Sequence, residues 1–101
     1  MEKAVLVGIN YSSQTNDQTK EFLDELAFLA LTSGAKTTQR FTQSLKIAHS
    51  TTFVGKGKLN EIEIFVKEKE IDLVIFDDDL TPSQLRNIEK QLCCKILDRS
   101  N

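Results

Sequence analysis

Positively charged side chains dominate the middle of this 101-residue sequence and are the first residues that suggest a chemistry. Between residues 26 and 60 there are five lysines and arginines and no aspartate or glutamate. The candidates for binding a polyanion are Arg40, Lys46, Lys56 and Lys58. Such side chains neutralise phosphates and release counterions, which gives much of the affinity for nucleic acid. Both flanking segments are acidic, so the net charge of −2 conceals a local basic patch.

The last two of these lysines lie in the run Gly55-Lys56-Gly57-Lys58, just before a predicted helix. Glycines before a helix N-terminus can bring backbone N–H groups close to a phosphate. The run does not match the phosphate-binding loop pattern GxxxxGK[ST], and no other segment of the sequence matches it. We interpret the run as a flexible, positively charged tip for an RNA backbone. The alternative is a tight turn whose lysines are solvated.

Three consecutive carboxylates, Asp77-Asp78-Asp79, suggest a second chemistry. They follow a predicted buried strand, at the edge of the sheet where open α/β folds bind ligands. Clustered carboxylates can hold Mg²⁺, but they can also form a solvated turn near a helix N-terminus. We favour the turn, because three consecutive side chains cannot all point at one ion and no other ligand is evident.

No catalytic constellation accompanies these groups. His49 stands alone in a polar loop, and we expect it to be exposed. Cys93 and Cys94 are adjacent, so they cannot easily form an unstrained disulfide, and they lack the CxxC spacing of zinc and redox sites. We expect Cys94 to lie in the core and Cys93 to be partly exposed. The six phenylalanines are scattered over separate elements and are predicted to be core residues.

Four apolar or alternating runs predict strands, and three helical patterns separate them. The predicted strands are Ala4–Ile9, the Thr-rich Ala35–Gln43, Ile71–Phe76 and Cys94–Leu97. A loop over residues 44–57, longer than an ordinary connection, precedes the second helix. This β-α-β-α-β-α-β order predicts an α/β fold with an open four-stranded parallel sheet and helices on both faces. The most apolar strands belong in the centre and the Thr-rich strand at an edge, which gives the order 2-1-3-4.

The helix boundaries also carry signals. Asn16 or Asp17 can cap the first helix, and Gly34 can end it. Apolar residues at helical spacing predict a broad buried face on this helix: Phe22, Leu23, Leu26, Ala27, Leu29 and Ala30. Thr81, Pro82 and Gln84 together predict the start of the third helix.

The sequence is the length of one small domain, residues 1–101. It stops directly after its last predicted strand, so we expect it to be part of a longer protein. It contains no apolar run long enough to span a bilayer and no signal-peptide pattern, and we expect a cytoplasmic location.

Several motifs together resemble one family, the N-terminal domain of the HflX ribosome-associated GTPases. Residues 53–62, FVGKGKLNEI, resemble the signature YIGKGKVEEL, and residues 72–84, DLVIFDDDLTPSQ, resemble DLVIFDDELSPAQ. Residues 86–90 and 96–100 resemble RNLEK and VIDRT, and Gly34-Ala35 with Thr42-Gln43 fits a weaker GA…TQ element. The second strand is more polar here than in the family, and the loop 44–52 departs from the usual Pro- and Asp-containing loop.

The resemblance implies that the chain is the N-terminal domain of a longer GTPase, without the family's helical middle segment and GTPase domain. The intact protein would then bind the large ribosomal subunit and its rRNA, hydrolyse GTP with Mg²⁺, and help to separate or rescue ribosomes. It implies no catalytic, nucleotide-binding or metal-binding residue and no cofactor for this chain itself. Its partners would be the ribosome and its own downstream domains.

Two other function classes remain open at this point. One is a receiver-like module that senses Mg²⁺ or a nucleotide at the Asp77–Asp79 edge. The other is a structural adaptor that only positions further domains. Our leading hypothesis is the ribosome- and RNA-binding module.

Overall fold

A four-stranded parallel sheet runs through the centre of the protein, and the computed structural model describes residues 1–100 of the chain. The strands are β1 (Glu2–Tyr11), β2 (Ala35–Leu45), β3 (Leu73–Phe76) and β4 (Lys95–Leu97). The helices are α1 (Asn16–Thr32), α2 (Lys56–Glu68) and α3 (Pro82–Leu92). The strand order is β2-β1-β3-β4, which confirms both the predicted class and the predicted order.

The apolar content of each strand explains its place in the sheet. Residues 4–9 of β1 and all of β3 are buried, because both strands are covered on two faces. The polar β2 lies at an edge, and its pairing with β1 shifts register between Ala4 and Val5. Thr38 lies at this irregularity and donates its hydroxyl to the carbonyl of Ala4 at 3.1 Å. A bulge of this kind inserts one extra residue into the edge strand, and regular pairing resumes with Val5 opposite Gln39.

The helices divide unequally between the two faces of the sheet. On one face, α2 and α3 cover side chains such as Val5, Val7 and Val74. On the other face, α1 packs alone against Ala4 and Leu6. Helices on both faces were predicted, and the structure confirms them.

Two of the three expected helix-end signals hold. Thr81 accepts a hydrogen bond from the backbone N–H of Gln84, as the capping pattern predicts. Gly34 follows the end of α1 with a φ of +95°, which confirms its role as the stop. The N-cap of α1 is Thr15 and not Asn16 or Asp17, so that prediction is wrong. Thr15 prevails because it forms a reciprocal capping box with Gln18.

The broad buried face predicted for α1 is only partly buried. Leu23 and Ala30 are in the core, but Leu29 is 52% exposed. Two phenylalanines expected in the core are also exposed, Phe22 at 40% and Phe28 at 65%. The reason is that no second helix lies beside α1 on its face within residues 1–100. Within the same residues, no helix is long and apolar enough to cross a membrane.

Candidate functional site

The loop between β2 and α2 is packed against the body of the protein. His49 and Phe53 pair through two backbone hydrogen bonds of 2.9 Å each. The side-chain amide of Gln84 donates to the carbonyl of His49 at 2.7 Å, and that of Asn87 donates to the carbonyl of Thr51 at 3.0 Å. The expectation of a loose, flexible tip is therefore wrong, because α3 holds this loop at two points.

Phe53 is the apolar anchor of the loop. Its side chain is 2% exposed, and its ring meets that of Phe76 edge to face with centroids 5.4 Å apart. Its φ of 67° lies in the left-handed region, which is unusual for a bulky residue. Such a conformation persists only where surrounding contacts enforce it. The burial of Phe53 and the neighbouring Val54 thus fixes where the chain enters α2.

The glycine- and lysine-rich run forms the start of α2. Gly55 is the N-cap residue, and Lys56, Gly57 and Lys58 make up the first turn. No side chain caps this N-terminus, and the first turn contains no acidic residue. The backbone N–H of Gly55 donates to the side-chain oxygen of Gln43 at 2.8 Å, which joins the end of β2 to the start of α2. The partial positive charge of the helix N-terminus therefore adds to that of the two lysines.

The predicted basic residues near this N-terminus differ in how available they are. Lys56 is exposed and makes no ion pair within residues 1–100. Lys58 is half-buried and pairs with Glu61 at 3.1 Å. Lys46 is exposed directly after β2, beside a shallow cavity of ≈ 290 Å³ that Tyr11 also lines. Lys46 and the two α2 lysines thus lie along the same carboxyl edge of the sheet.

Arg40 does not belong to this group. It pairs with Asp24 of α1 at 2.7 Å, on the face of the sheet opposite to α2 and α3. Hydrogen bonds from Lys20 first, and then from Arg40, lower the pKa of the Asp24 carboxyl. The predicted patch is therefore divided by the sheet, since alternate β2 side chains point to opposite faces.

The three aspartates do not converge. Asp77 pairs with Arg99 at 2.8 Å, which raises the pKa of the guanidinium. Asp78 accepts a 2.8 Å hydrogen bond from the hydroxyl of Tyr11 and a second from the backbone N–H of Asp79. Burial, together with the Asp78 carboxylate, raises the pKa of Tyr11 to about 12. The three carboxylates lie in a turn, as we favoured, but Asp77 and Asp78 are held by side-chain partners and the turn is not simply solvated. Within residues 1–100 no cluster of side chains is suited to a metal ion.

The remaining candidate groups lie apart from one another. His49 is exposed, as expected, although its backbone holds the loop. Cys93 is exposed at the end of α3 with a φ of 54°, and Cys94 is half-buried. Burial first, and then the neighbouring Cys93, raises the pKa of the Cys94 thiol to about 11.

The sequence interpretation missed the residues that hold the site together. Gln84 was identified only as part of a cap, yet its amide also holds the loop. Gln43 and Asn87 lie within motifs of the family resemblance, but nothing in the sequence indicated their contacts, because both act on segments distant in sequence. The role of such polar side chains in holding the loop can be recognised only when their hydrogen-bond partners are known.

Known proteins provide a comparison for this arrangement. Residues 20–101 match the model of a family described as "GTP-binding GTPase N-terminal". A GTPase HflX from Flavobacterium psychrophilum is 46% identical over 99% of this chain. A GTPase HflX from Caldanaerobacter subterraneus is 43% identical over the same share. The chain spans about a quarter of the length of these relatives, 24% and 22% respectively.

Solved structures share the fold. A GTP-binding protein from the archaeon Sulfolobus solfataricus, crystallised with GDP, superimposes with a TM-score of 0.70. The match covers 98% of this chain and 28% of the archaeal one, at 23% sequence identity. At that identity the likeness concerns the fold alone.

Proposed function

The chain belongs to the family of GTP-binding GTPase N-terminal domains, those of the HflX GTPases, and we propose that it is the ribosome- and RNA-binding module of a longer GTPase. The intact protein would bind the large ribosomal subunit and its rRNA and would use GTP hydrolysis to split or rescue ribosomes. Such a protein would act in the cytoplasm, where its partner is.

One observation carries the binding role: Lys56 and Lys58 lie on the acid-free, uncapped first turn of α2. A helix N-terminus favours anions because its first N–H groups lack intrahelical acceptors. Two lysines at the same place add full positive charge, and Lys46 extends it along the edge. Phosphate oxygens of an RNA backbone match this combination of amide donors and ammonium groups.

The anchored loop supports the same role. A binding group held in one geometry loses less conformational entropy when its ligand arrives. The buried Phe53 and the contacts from α3 hold Gly55 and the first turn of α2 in position. We therefore place the contact on a rigid surface, with Lys56 most available and Lys58 first having to leave Glu61.

Catalysis belongs elsewhere in the proposed intact protein. A GTPase needs a phosphate-binding loop and a Ser or Thr for Mg²⁺, and the GxxxxGK[ST] pattern is not in this sequence. GTP and Mg²⁺ would accordingly be held by the domains that follow. The 101-residue chain alone should not turn over GTP, and hydrolysis that survives rigorous purification would contradict this assignment.

Replacement of Lys56 and Lys58 together by Ala tests the proposed contact. In the full-length protein, the double variant should co-sediment less with large ribosomal subunits, and its affinity should depend less steeply on salt. About one unit of slope should disappear per lost phosphate contact. Thermal unfolding should show that the domain remains folded.

A matched control lies at the other end of the same helix. Lys67 pairs with Glu63 as Lys58 pairs with Glu61, and Lys69 makes no ion pair within residues 1–100. Replacing Lys67 and Lys69 by Ala removes the same charge and should leave ribosome binding close to that of the unmodified protein. Equal losses in the two double variants would indicate a general charge effect and would overturn the assignment to the first turn of α2.

A further inference from the structure

A small cavity lies where β1 and β2 end, at the carboxyl edge of the sheet. Its volume is ≈ 290 Å³, close to the lower limit of about 300 Å³ for ligand cavities, so it suits one small group. Each strand end contributes three lining residues: Asn10, Tyr11 and Ser12 from β1, and Ser44, Leu45 and Lys46 from β2. We call these six residues the Tyr11 pocket. They bring apolar, amide, hydroxyl and ammonium groups together in one place.

The pairing of the two strands separates an apolar wall from a polar one. Tyr11 lies opposite Leu45, and Asn10 lies opposite Ser44. Paired residues of neighbouring strands point to the same face of the sheet, and successive residues point to opposite faces. Tyr11 and Leu45 therefore form an apolar step at the last pair, whereas Asn10 and Ser44 form a polar step one pair earlier.

The aromatic ring at the apolar step is held in place. The hydroxyl of Tyr11 donates to the carboxylate of Asp78 at 2.8 Å, which ties the ring to the turn after β3. Tyr11 and Leu45 are both half-buried, so each keeps an open surface beside the cavity. A nucleobase stacks on an aromatic ring whatever its identity, because every base has a π-face. The step therefore suits one nucleobase.

Hydrogen bonds fix the polar wall before any ligand arrives. The side-chain oxygen of Asn10 accepts from the hydroxyl of Thr19 at 2.8 Å, and its amide donates to the hydroxyl of Ser44 at 3.4 Å. The amide of Gln14 donates to the same Thr19 hydroxyl at 2.7 Å, which holds the turn between β1 and α1. Groups positioned in this way lose little conformational entropy when a ligand binds.

Unused donors lie beside this wall. Within residues 1–100, the side chains of Lys46 and Ser12 make no hydrogen bond or ion pair. Ser44 keeps its own hydroxyl proton to donate. No acidic residue of this part of the chain lines the cavity, so the lining carries a net positive charge. Ammonium and hydroxyl groups are the donors that proteins present to phosphate and sugar oxygens.

The pocket adjoins the first turn of α2. Gln43, the residue before Ser44, accepts a hydrogen bond from the backbone N–H of Gly55 at 2.8 Å. One end of β2 thus holds the N-terminus of α2 and also lines the pocket. An RNA strand that contacts Lys56 meets the pocket next along this edge of the sheet.

We propose that the Tyr11 pocket takes one unstacked nucleotide of single-stranded RNA, with its base against Tyr11 and Leu45 and its phosphate at Lys46. This inference rests on the proposed RNA-binding role and adds to it the form of RNA that is recognised. A paired nucleotide is excluded, because its base remains stacked inside the helix. The lysines of α2 contact the RNA backbone, and the pocket selects a stretch whose bases are unpaired.

A comparison of two RNA probes tests the pocket. In the full-length protein, fluorescence anisotropy measures binding of a single-stranded uridine oligonucleotide and of an RNA duplex of the same length. Tyr11→Leu removes the aromatic ring and should weaken single-strand binding by at least about fivefold, with duplex binding unchanged. Tyr11→Phe keeps the ring and loses only the hydrogen bond to Asp78, so it should bind the single strand as the unmodified protein does. Equal losses for both probes, or for both variants, would overturn the proposal.

Two lysines provide a matched test of the charge. Lys46 and Lys36 are both exposed and make no ion pair within residues 1–100, but they lie at opposite ends of β2. Lys46→Gln should weaken single-strand binding and reduce its salt slope by about 0.7. Lys36→Gln removes the same charge and should change neither quantity. Equal slopes for the two variants would overturn the proposed phosphate contact.

A cross-link locates the base without any substitution in the protein. An oligonucleotide that contains 5-iodouridine should join, upon illumination, a peptide that contains Tyr11. Cross-links to other segments alone, or no binding of the single strand at all, would overturn the proposal. Uridine monophosphate at the concentration of the oligonucleotide should not displace it, since a free nucleotide lacks the neighbouring backbone contacts. Full displacement would overturn the proposal in favour of a site for free nucleotides.

These measurements use free RNA, so they separate this inference from the proposed ribosome contact. If the double replacement of Lys56 and Lys58 leaves ribosome binding intact, the contact at α2 fails, and the two probes still decide the pocket. If Tyr11→Leu binds the single strand normally, the pocket assignment fails and the contact at α2 stands.

Discussion

The side-chain amide of Gln84 donates a 2.7 Å hydrogen bond to the backbone carbonyl of His49. The same side chain accepts from the backbone N–H of Thr81, so one buried glutamine both caps α3 and holds the loop before α2. The position of the lysine-bearing first turn of α2 thus depends on a residue 28 positions later than Lys56 in the sequence.

Substitution of the two cap residues of α3 should separate these roles. Thr81→Ala should cost about 1 kcal/mol of stability, since it removes only the N-cap oxygen. Gln84→Ala should cost about 2 kcal/mol, because it also leaves the His49 carbonyl without its amide donor. Urea denaturation measures both, and Thr15→Ala, at the equivalent cap of α1, serves as the control. Equal costs for Thr81→Ala and Gln84→Ala would mean that the loop contact contributes nothing.

The contact between Tyr11 and Asp78 should be visible in a spectroscopic titration. Tyr11 is the only tyrosine of the sequence, which contains no tryptophan, so absorbance near 295 nm reports on it alone. Its pKa is about 12 in the folded protein, above the ordinary 10.0. Stability from this group is complete below pH 10 and is lost as the pH rises towards 12. Asp78→Asn should lower the midpoint, and a midpoint near 10 in the folded wild-type chain would contradict the burial of the phenol.

The two adjacent cysteines should react at different rates. Cys93 is exposed, whereas burial raises the pKa of Cys94 to about 11, so that little of its thiol is ionised at neutral pH. One thiol per chain should therefore react quickly with a disulfide reagent at pH 8. Cys93→Ser should abolish this fast phase, and Cys94→Ala should leave it in place. A fast phase of two thiols per chain would be inconsistent with the half-buried position of Cys94.

Two glycines offer opposite outcomes for the same substitution. Gly34 has a φ of +95°, so Gly34→Ala should destabilise the protein by about 1–2 kcal/mol through backbone strain. Gly57 lies inside α2 with open space around it, so Gly57→Ala should be neutral or stabilising by up to about 1 kcal/mol. Thermal or urea unfolding measures the difference, and a Gly34→Ala variant as stable as the wild type would show that the end of α1 tolerates a side chain.

Local sequence was sufficient for the architecture of this protein. The uninterrupted apolar runs of β1 and β3 predicted strands that are covered on both faces and lie in the centre of the sheet. The Thr-rich composition of β2 predicted an edge strand. Together these features gave the strand order. Gly34 and the Thr81–Gln84 pair marked helix ends through interactions within a few residues. The motifs of residues 53–62 and 72–84 identified the family, and the matches to HflX proteins confirmed it. Each of these features depends on residues that are close together in the sequence, so it can be predicted without the structure.

Contacts between distant segments determine which charged and apolar residues share a surface. The sheet separates Arg40 from Lys56 and Lys58, although all three belong to one acid-free segment. The loop that sequence reasoning left flexible is held by α3 through Gln84 and Asn87. The apolar face of α1 is half uncovered, because burial depends on what packs beside a helix and not on its own periodicity. Each of these outcomes is set by contacts between segments far apart in sequence, and the fold alone brings those segments together.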